Sequence, residues 1–533
     1  MATMDVQLNT WRLFSHAPTH FADVQIVTQV APDDVFRYTY ADFAGRSMSL
    51  MNALDSLELS PSAKVATLSW NNYRHLECYF AIPCTGRVLH TLNARLSAED
   101  LIYIINDAAD EAIFASSDLL PILERIAPEV PTVKHFVLMG PASSAKTSLK
   151  LIDYEELLAS HPGDYPERDI DEKSPAGLCY TSGTTGRPKG ALYTHRSTYL
   201  HAMNCASPSG MSIGISDCVL PVVPMFHASA WGIVHAAIAC GAKIAFAYPH
   251  LHPKSFVDLL FDEGVTMAAG VPTVWIALEE ELRARGAKPP MLREIVSGGS
   301  QPPKALIQRY KANLGINIVQ AWGMTETSPL ATISRPKHAM LGLSDDELLD
   351  RVGGQAGIPA PSIDVSLRDD HGEEIPWDNK TMGNLYVRGP WVIDSYLHGT
   401  GADSFESGWF KTGDVAIGSP DGYFVIADRT KDLIKSGGEW ISSVDLEGAL
   451  MGLPGVIEAA VIAIGDERWQ ERPLACVVPA KGAEITLEAV REYLSGVGFA
   501  KWQLPDRLEI IDEVPRTSVG KFDKKVLRAK FGA

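Results

Sequence analysis

Residues 180 to 190 read Tyr180-Thr181-Ser182-Gly183-Thr184-Thr185-Gly186-Arg187-Pro188-Lys189-Gly190. Thr181, Ser182, Thr184 and Thr185 bring four hydroxyls, and Lys189 brings an ammonium. Gly183, Gly186 and Gly190 let the backbone wrap closely, because glycine has no Cβ penalty in left-handed conformations. Successive N–H groups, hydroxyls and a cation are what a polyphosphate cradle needs. Pro188 and Gly190 would spoil a helix start through Lys189, so this is not the Walker pattern, which opens a helix at its Gly-Lys-Ser/Thr. The plainer alternative is a polar surface turn.

Further clusters suit the rest of a nucleotide. Val296-Ser297-Gly298-Gly299-Ser300 ends a strand in small residues, leaving room for a flat ring against the backbone. Gln320-Ala321-Trp322-Gly323-Met324-Thr325-Glu326-Thr327 follows a strand over Ile316 to Val319. There Trp322 can stack on adenine and Thr325 can bond a phosphate. Glu326 is a hard oxygen ligand of the kind Mg²⁺ shares with phosphate oxygens and water. Trp409 to Asp414 places a carboxylate at a strand end, where Asp414 either accepts from ribose hydroxyls or caps a turn. Arg429 binds the same ribose or forms an interdomain salt bridge.

Three further motifs suggest a pocket mouth and a moving part. His227 and Trp231 lie among small residues in Pro224 to Gly232, as at a pocket mouth; the alternative for His227 is a satisfied core histidine. Gly437-Gly438 offers a backbone that a ligand arm can approach closely. Trp440 either stacks on adenine or anchors a small domain from its core. Lys521, next to Gly520, sits on a loop that can swing in and out, against the alternative of one more surface lysine.

In this order, from Leu178 to Lys521, the motifs resemble those of the adenylate-forming superfamily: acyl-CoA synthetases, luciferases and peptide-synthetase adenylation domains. Asn72 to Glu77, Pro224 to Trp231, Ser436 to Ser443 and Phe499 to Pro505 look like the bacterial medium/long-chain fatty-acyl-CoA synthetase branch, so nearly the whole chain is covered. Two departures from the general superfamily pattern stand out. Ala321-Trp322 replaces the usual Gly-Tyr, tightening the adenine slot, and Trp440 replaces the common Asn, as is typical of the fatty-acyl branch.

The resemblance implies an enzyme that joins a carboxylic acid to coenzyme A with ATP and Mg²⁺. A carboxylate oxygen attacks the α-phosphate, and the thiol of CoA then displaces AMP from the acyl-adenylate. It implies that Thr181 and Glu326 hold Mg²⁺, that the loop hydroxyls and Lys189 steady the β- and γ-phosphates, and that His227 orients the acyl carboxylate. Trp231 would stand at the entrance of an acyl tunnel, which we expect Ala228, Ala230, Val234 and Ala237 to line. Lys435 joins the residues that bind nucleotide or CoA. Lys521 would neutralise the two reacting anions, and a hinge at Lys431 would then withdraw it and present Gly437-Gly438 to CoA. A ligase for a short acid such as 3-methylthiopropionate is the second expectation. A sensor that binds acyl-adenylate without turnover is third, disfavoured because Lys189, Glu326 and Lys521 are all present.

These residues need a scaffold larger than one core, and 533 residues supply it. Lys64 to Leu68 before His75 to Ile82, and Lys243 to Ala247 before Ser255 to Glu263, alternate strand-like and helical runs, which predicts layered α/β subdomains with largely parallel sheets. From about Thr381 short alternating strands predict an antiparallel β-subdomain. We expect a large domain over 1–428, a hinge at 429–431 and a small, mobile α+β domain over 432–533.

A net charge of −18 argues against nucleic acid or an anionic membrane surface as a partner. Seven scattered cysteines without a Cys-x-x-Cys pair read as reduced thiols of a cytoplasmic protein. Val219 to Cys240 is uncharged and long enough to span a bilayer. Its Pro and His residues fit a buried strand, a functional loop and a core helix better. A homodimer stays open: the aromatic segment Leu8 to Phe21 either exchanges contacts with a second subunit or packs on its own domain.

Overall fold

The computed structural model describes residues 4–181, 187–249, 253–437, 439–516 and 522–532. Two sheets dominate. The first has seven strands in the order Leu151–Asp153, His135–Met139, Ala112–Ser116, Lys64–Leu68, Val88–Thr91, Pro175–Tyr180 and Gly190–Thr194. All neighbours are parallel except the last pair, an antiparallel hairpin whose connection carries the phosphate-loop sequence.

The second sheet has nine strands. Its centre runs parallel through Asn317–Gly323, Glu294–Ser297, Met267–Gly270, Cys218–Pro221, Lys243–Phe246 and Gln25–Ala31. Pro221, Gly270 and Ser297 end neighbouring strands of this set, so the loops that follow them open on one edge. In open α/β sheets that carboxyl edge is where ligands bind.

Helices cover the sheets because their apolar stripes need burial. The helix Thr10–His20 buries Leu13, Phe14 and Ala17 in the shared core and meets the helix Ile233–Cys240. The N-terminal aromatic segment thus packs on its own domain. At Gly241, with φ +73°, a Cβ would stand 2.3 Å from the Phe21 ring, so only glycine closes this helix end.

A five-stranded antiparallel sheet, Asp364–Arg368 to Phe424–Arg429, follows in the chain as expected. The C-terminal domain has its own five-stranded sheet, from Ile434–Ser436 to Arg507–Ile510, flanked by the helices Ser443–Leu450, Leu487–Gly496 and Lys524–Phe531. It docks through a buried polar contact, Ser443 N–H donating to Asp428 Oδ2 (2.8 Å), and inside the small domain Lys524 Nζ pairs with Glu447 Oε1 (2.7 Å).

Val219 to Cys240 divides into the strand Cys218–Pro221, a loop and the helix Ile233–Cys240. No helix among the described residues is long and apolar enough to cross a membrane. All seven cysteines are unpaired thiols, and six are buried.

Candidate active site

The base of the phosphate loop is a short ladder. Thr181 N–H donates to the Lys189 carbonyl (3.0 Å), and Lys189 N–H donates to Thr181 Oγ1 (3.1 Å). Lys189 Nζ lies 5.0 Å from the centre of the Tyr396 ring, a cation–π distance. Ser182, Gly183, Thr184, Thr185 and Gly186 lie outside the described residues, as do Gly438 and Lys521.

Thr181 and Lys189 face a cleft of about 360 Å³ at the carboxyl edge of the nine-stranded sheet. His227, Trp231, Gly298, Gly299, Ala321, Trp322, Thr325, Glu326, Arg429 and Lys431 line it too, so the fold gathers residues spread over 250 positions of chain. Lys431 stands where partial burial, with Arg429 and Arg528 nearby, holds its amine below the ordinary lysine range.

Glu326 is fixed from two sides. Tyr396 Oη donates to its Oε1 (2.5 Å), and Ile393 N–H donates to its main-chain carbonyl (2.9 Å). Burial, and then the facing carboxylate, push the Tyr396 phenol above its usual range, so it stays a donor. Tyr193 Oη donates to the Thr325 carbonyl (2.8 Å), tying this loop to the strand that follows the phosphate loop. Tyr396 and Tyr193 were not foreseen; a tyrosine in an apolar strand or a Ser-Tyr-Leu turn carries no pattern that separates it from core.

Asp414 sits within the strand Trp409–Gly418, not at its end, because the strand continues through a twist at Gly413 (φ +74°). Its carboxylate is buried and doubly held. Arg429 Nε lies 2.7 Å from Oδ1, and Trp322 Nε1 donates to Oδ2 (3.2 Å). Asp414, Ser300 and Gln320 line a second cavity of about 760 Å³ that opens between the two domains and shares Trp322 and Arg429 with the cleft. The Gln320 amide nitrogen, assigned toward the Gly354 and Gln355 carbonyls (3.0 and 3.3 Å), points its polar head at that loop.

Ala228, Ser229, Ala230, Trp231 and Gly232 all have positive φ, from 43° to 74°. A left-handed turn of this length costs L-residues about 1–2 kcal/mol each. The turn aims Trp231 at Gly298, where a Cβ would lie 2.8 Å from Trp231 Cη2. Composition gave no sign of this strain.

The expected tunnel wall is corrected here. Ala228 borders the cleft, but Ala230, Val234 and Ala237 are sealed in the core. Small apolar residues on the helix Ile233–Cys240 serve helix packing, and the apolar wall comes instead from Met211, Val223, Pro224, Pro329 and Leu330.

The small domain leaves three candidates outside the cleft. Lys435 Nζ stacks 4.5 Å over the Trp440 ring, and Trp440 packs with Val415, Ala427 and Leu433, the core-anchor alternative. Gly437, with φ +62°, donates its N–H to the Trp469 carbonyl (2.8 Å), and a Cβ there would stand 2.7 Å from the Trp469 ring.

Residues 14–397 match the family model for AMP-binding enzymes, and 445–521 match that for the AMP-binding enzyme C-terminal domain. A long-chain-fatty-acid–CoA ligase of Thermus thermophilus is 44% identical over 99% of this chain and 96% of its own. A 3-methylmercaptopropionyl-CoA ligase of Ruegeria lacuscaerulensis is 40% identical over 97% of this chain and 96% of its own. The crystal structure of ATP-bound MatB from Rhodopseudomonas palustris superposes with a TM-score of 0.83 at 25% identity, covering 98% and 99% of the two chains. The chain belongs to the AMP-binding enzyme family, within the adenylate-forming superfamily. It is an ATP-dependent acid–thiol ligase that uses coenzyme A.

Proposed function

We propose that the acid is a medium- or long-chain fatty acid, activated as acyl-AMP and passed to CoA in the cytoplasm. The observation that carries this reading is the apolar wall of Met211, Val223, Pro224 and Leu330, which lines the same cleft as His227 and Trp231. The sealing of Ala230, Val234 and Ala237 favours a second reading, a short acid such as 3-methylthiopropionate, because it removes the depth expected behind Trp231.

His227 orients the carboxylate toward the α-phosphate. One carboxylate oxygen forms the new bond to phosphorus and pyrophosphate departs with its electron pair. Lys189 and the loop hydroxyls steady the departing phosphates, and Lys521 neutralises charge between the two anions. This chemistry needs positioning and charge compensation more than proton transfer. Trp322 stacks on adenine, and Asp414 with Arg429 receives the ribose.

Thr181 and Glu326 fit Mg²⁺, since both are hard oxygen donors on the same cleft and, among the described residues, Tyr396 takes Oε1 of Glu326 and leaves Oε2. When bound, the ion would neutralise phosphate charge. The domains divide at 429–431, and the small domain turns about Lys431, withdrawing Lys521 and bringing Gly437-Gly438 to the cleft. The CoA sulfur then bonds to the acyl carbon, the thiol proton passes to solvent, and AMP leaves.

The test is CoA-dependent AMP formation across linear acids from propionate to palmitate, with 3-methylthiopropionate and a benzoate. A maximum at eight carbons or longer supports the first reading, and a maximum at the short acids supports the second. Lys521→Ala is expected to abolish pyrophosphate release; a parent protein that releases none would instead be a sensor.

A further inference from the structure

We propose that Trp322 is a positioning residue for sugar recognition. Its indole N–H holds the Asp414 carboxylate in the orientation that receives the nucleotide ribose, so Trp322 governs discrimination between ribose and deoxyribose. The inference rests on the ribose reading of Asp414 given above.

A carboxylate offers about four lone-pair sites. At Asp414 one site on Oδ1 faces Arg429 Nε (2.7 Å) and one on Oδ2 faces Trp322 Nε1 (3.2 Å). The main chain is pinned as well: Asp414 N–H donates to Thr412 Oγ1 (3.1 Å), and Thr430 N–H donates to the Gly413 carbonyl (3.1 Å). The carboxylate, 4% exposed, therefore has its plane set by two donors on different elements, and its remaining lone pairs serve the cavity it lines. With Arg429 alone, the group could pivot about a single contact, and Arg429 is itself 41% exposed. Trp322 is the firmer of the two partners. Its ring packs edge-on against Phe424 (5.9 Å, 77°), and its main chain pairs with Thr332.

The same indole borders both cavities, so it has two separable jobs. Its face can stack on the base, and its N–H fixes the sugar acceptor. Phenylalanine keeps a smaller aromatic face and loses the N–H, so the ratio between nucleotides, and not the overall loss, reports on the N–H. Tyrosine, the residue usual at this position in the superfamily, also lacks a donor where Nε1 stands.

The experiment compares kcat/KM for ATP, 2′-deoxy-ATP and 3′-deoxy-ATP in pyrophosphate exchange. The proteins are the parent, Trp322→Phe, Trp322→Tyr and Asp414→Asn. The parent is expected to prefer ATP at least 10-fold over one deoxy sugar. Both Trp322 variants should shrink that ratio about 5-fold or more, with ATP losing most, and Asp414→Asn should flatten it. An equal loss for all three nucleotides in the Trp322 variants, with Asp414→Asn flattening the ratio, overturns the inference and leaves the ribose reading intact. A ratio untouched by Asp414→Asn sinks the ribose reading and the inference with it. A parent that does not discriminate overturns the inference without any variant.

Discussion

The Tyr396 hydroxyl donates to Glu326 Oε1 at 2.5 Å while the Tyr396 ring lies 5.0 Å beneath Lys189 Nζ. One side chain thus touches both the cation of the phosphate loop and the carboxylate that we propose holds Mg²⁺. A hydrogen bond to a charged group contributes about 1.5–3 kcal/mol, and losing it frees the carboxylate to rotate. Tyr396→Phe keeps the ring under Lys189. We expect the Mg²⁺ concentration for half-maximal pyrophosphate exchange to rise about 10-fold, at about 1.4 kcal/mol per decade. Calorimetric binding of ATP in excess Mg²⁺ should weaken in parallel. Unchanged Mg²⁺ dependence would show that Tyr396 only packs.

The strained turn at Ala228–Gly232 makes a stability prediction. A Cβ on Gly232 would stand 2.4 Å from His201 Nδ1, and φ there is +74°. His201 has little room to yield, since its Nε2 accepts from Leu330 N–H (2.9 Å). Left-handed strain of about 1–2 kcal/mol adds to overpacking of about 1–3 kcal/mol. Gly232→Ala is expected to lower stability by about 2–5 kcal/mol in a denaturant titration. His201→Ala in the same chain should recover part of the packing share, and no recovery would mean that the backbone alone carries the cost.

Much of this site was legible because its parts are local. Thr181 to Gly190, Gly298-Gly299 and Thr325-Glu326 each put chemistry and backbone freedom into a few residues, and each stretch begins just past a strand end, at Tyr180, Ser297 and Gly323. What escaped the sequence is contact between distant side chains. Tyr396 meets Glu326 across 70 positions, and nothing in Ser395-Tyr396-Leu397 marks the tyrosine as polar in role. Ala230, Val234 and Ala237 illustrate the converse. Small apolar residues fit a tunnel or a tightly packed helix equally well, and packing decided. Trp440 had two options of its own, and it packs, half-buried, against Val415, Ala427 and Leu433.

Acid should destabilise the fold through histidines buried neutral. Burial lowers His75, His195 and His235 to about 4 and His201 to about 3, against 6.5 in the unfolded chain. Below pH 6.5 the unfolded state binds protons that the folded state refuses, so stability is full above 6.5 and falls as pH drops toward 4. For His201 alone the loss between pH 7 and pH 5 is about 2 kcal/mol. Glu77 and Glu447, raised by burial, act in the opposite direction, so the test must be differential. The denaturation midpoint of His201→Gln should vary less between pH 7 and 5 than that of the parent. Parallel curves would show that His201 is protonated in the folded protein.

The contact between Trp231 and Gly298 bears on the acid rather than on the nucleotide. A methyl at 298 would meet Trp231 Cη2 at 2.8 Å and the Ala321 carbonyl at 3.0 Å. The carbonyl belongs to a strand and cannot give way, so the indole must move, and it moves into the part of the cleft next to His227. Overpacking of about 1–3 kcal/mol is then felt where the carboxylate binds. Gly298→Ala is expected to raise KM for the preferred acid about 10-fold and to change KM for ATP less than 3-fold. In a Trp231→Ala background the same methyl has no ring to displace, so its effect on the acid should shrink. The double-mutant cycle should show coupling above 1 kcal/mol, as neighbouring residues do. Additive effects would mean that Gly298 acts on the adenine side through Ala321, and that the position of Trp231 is set by the left-handed turn alone.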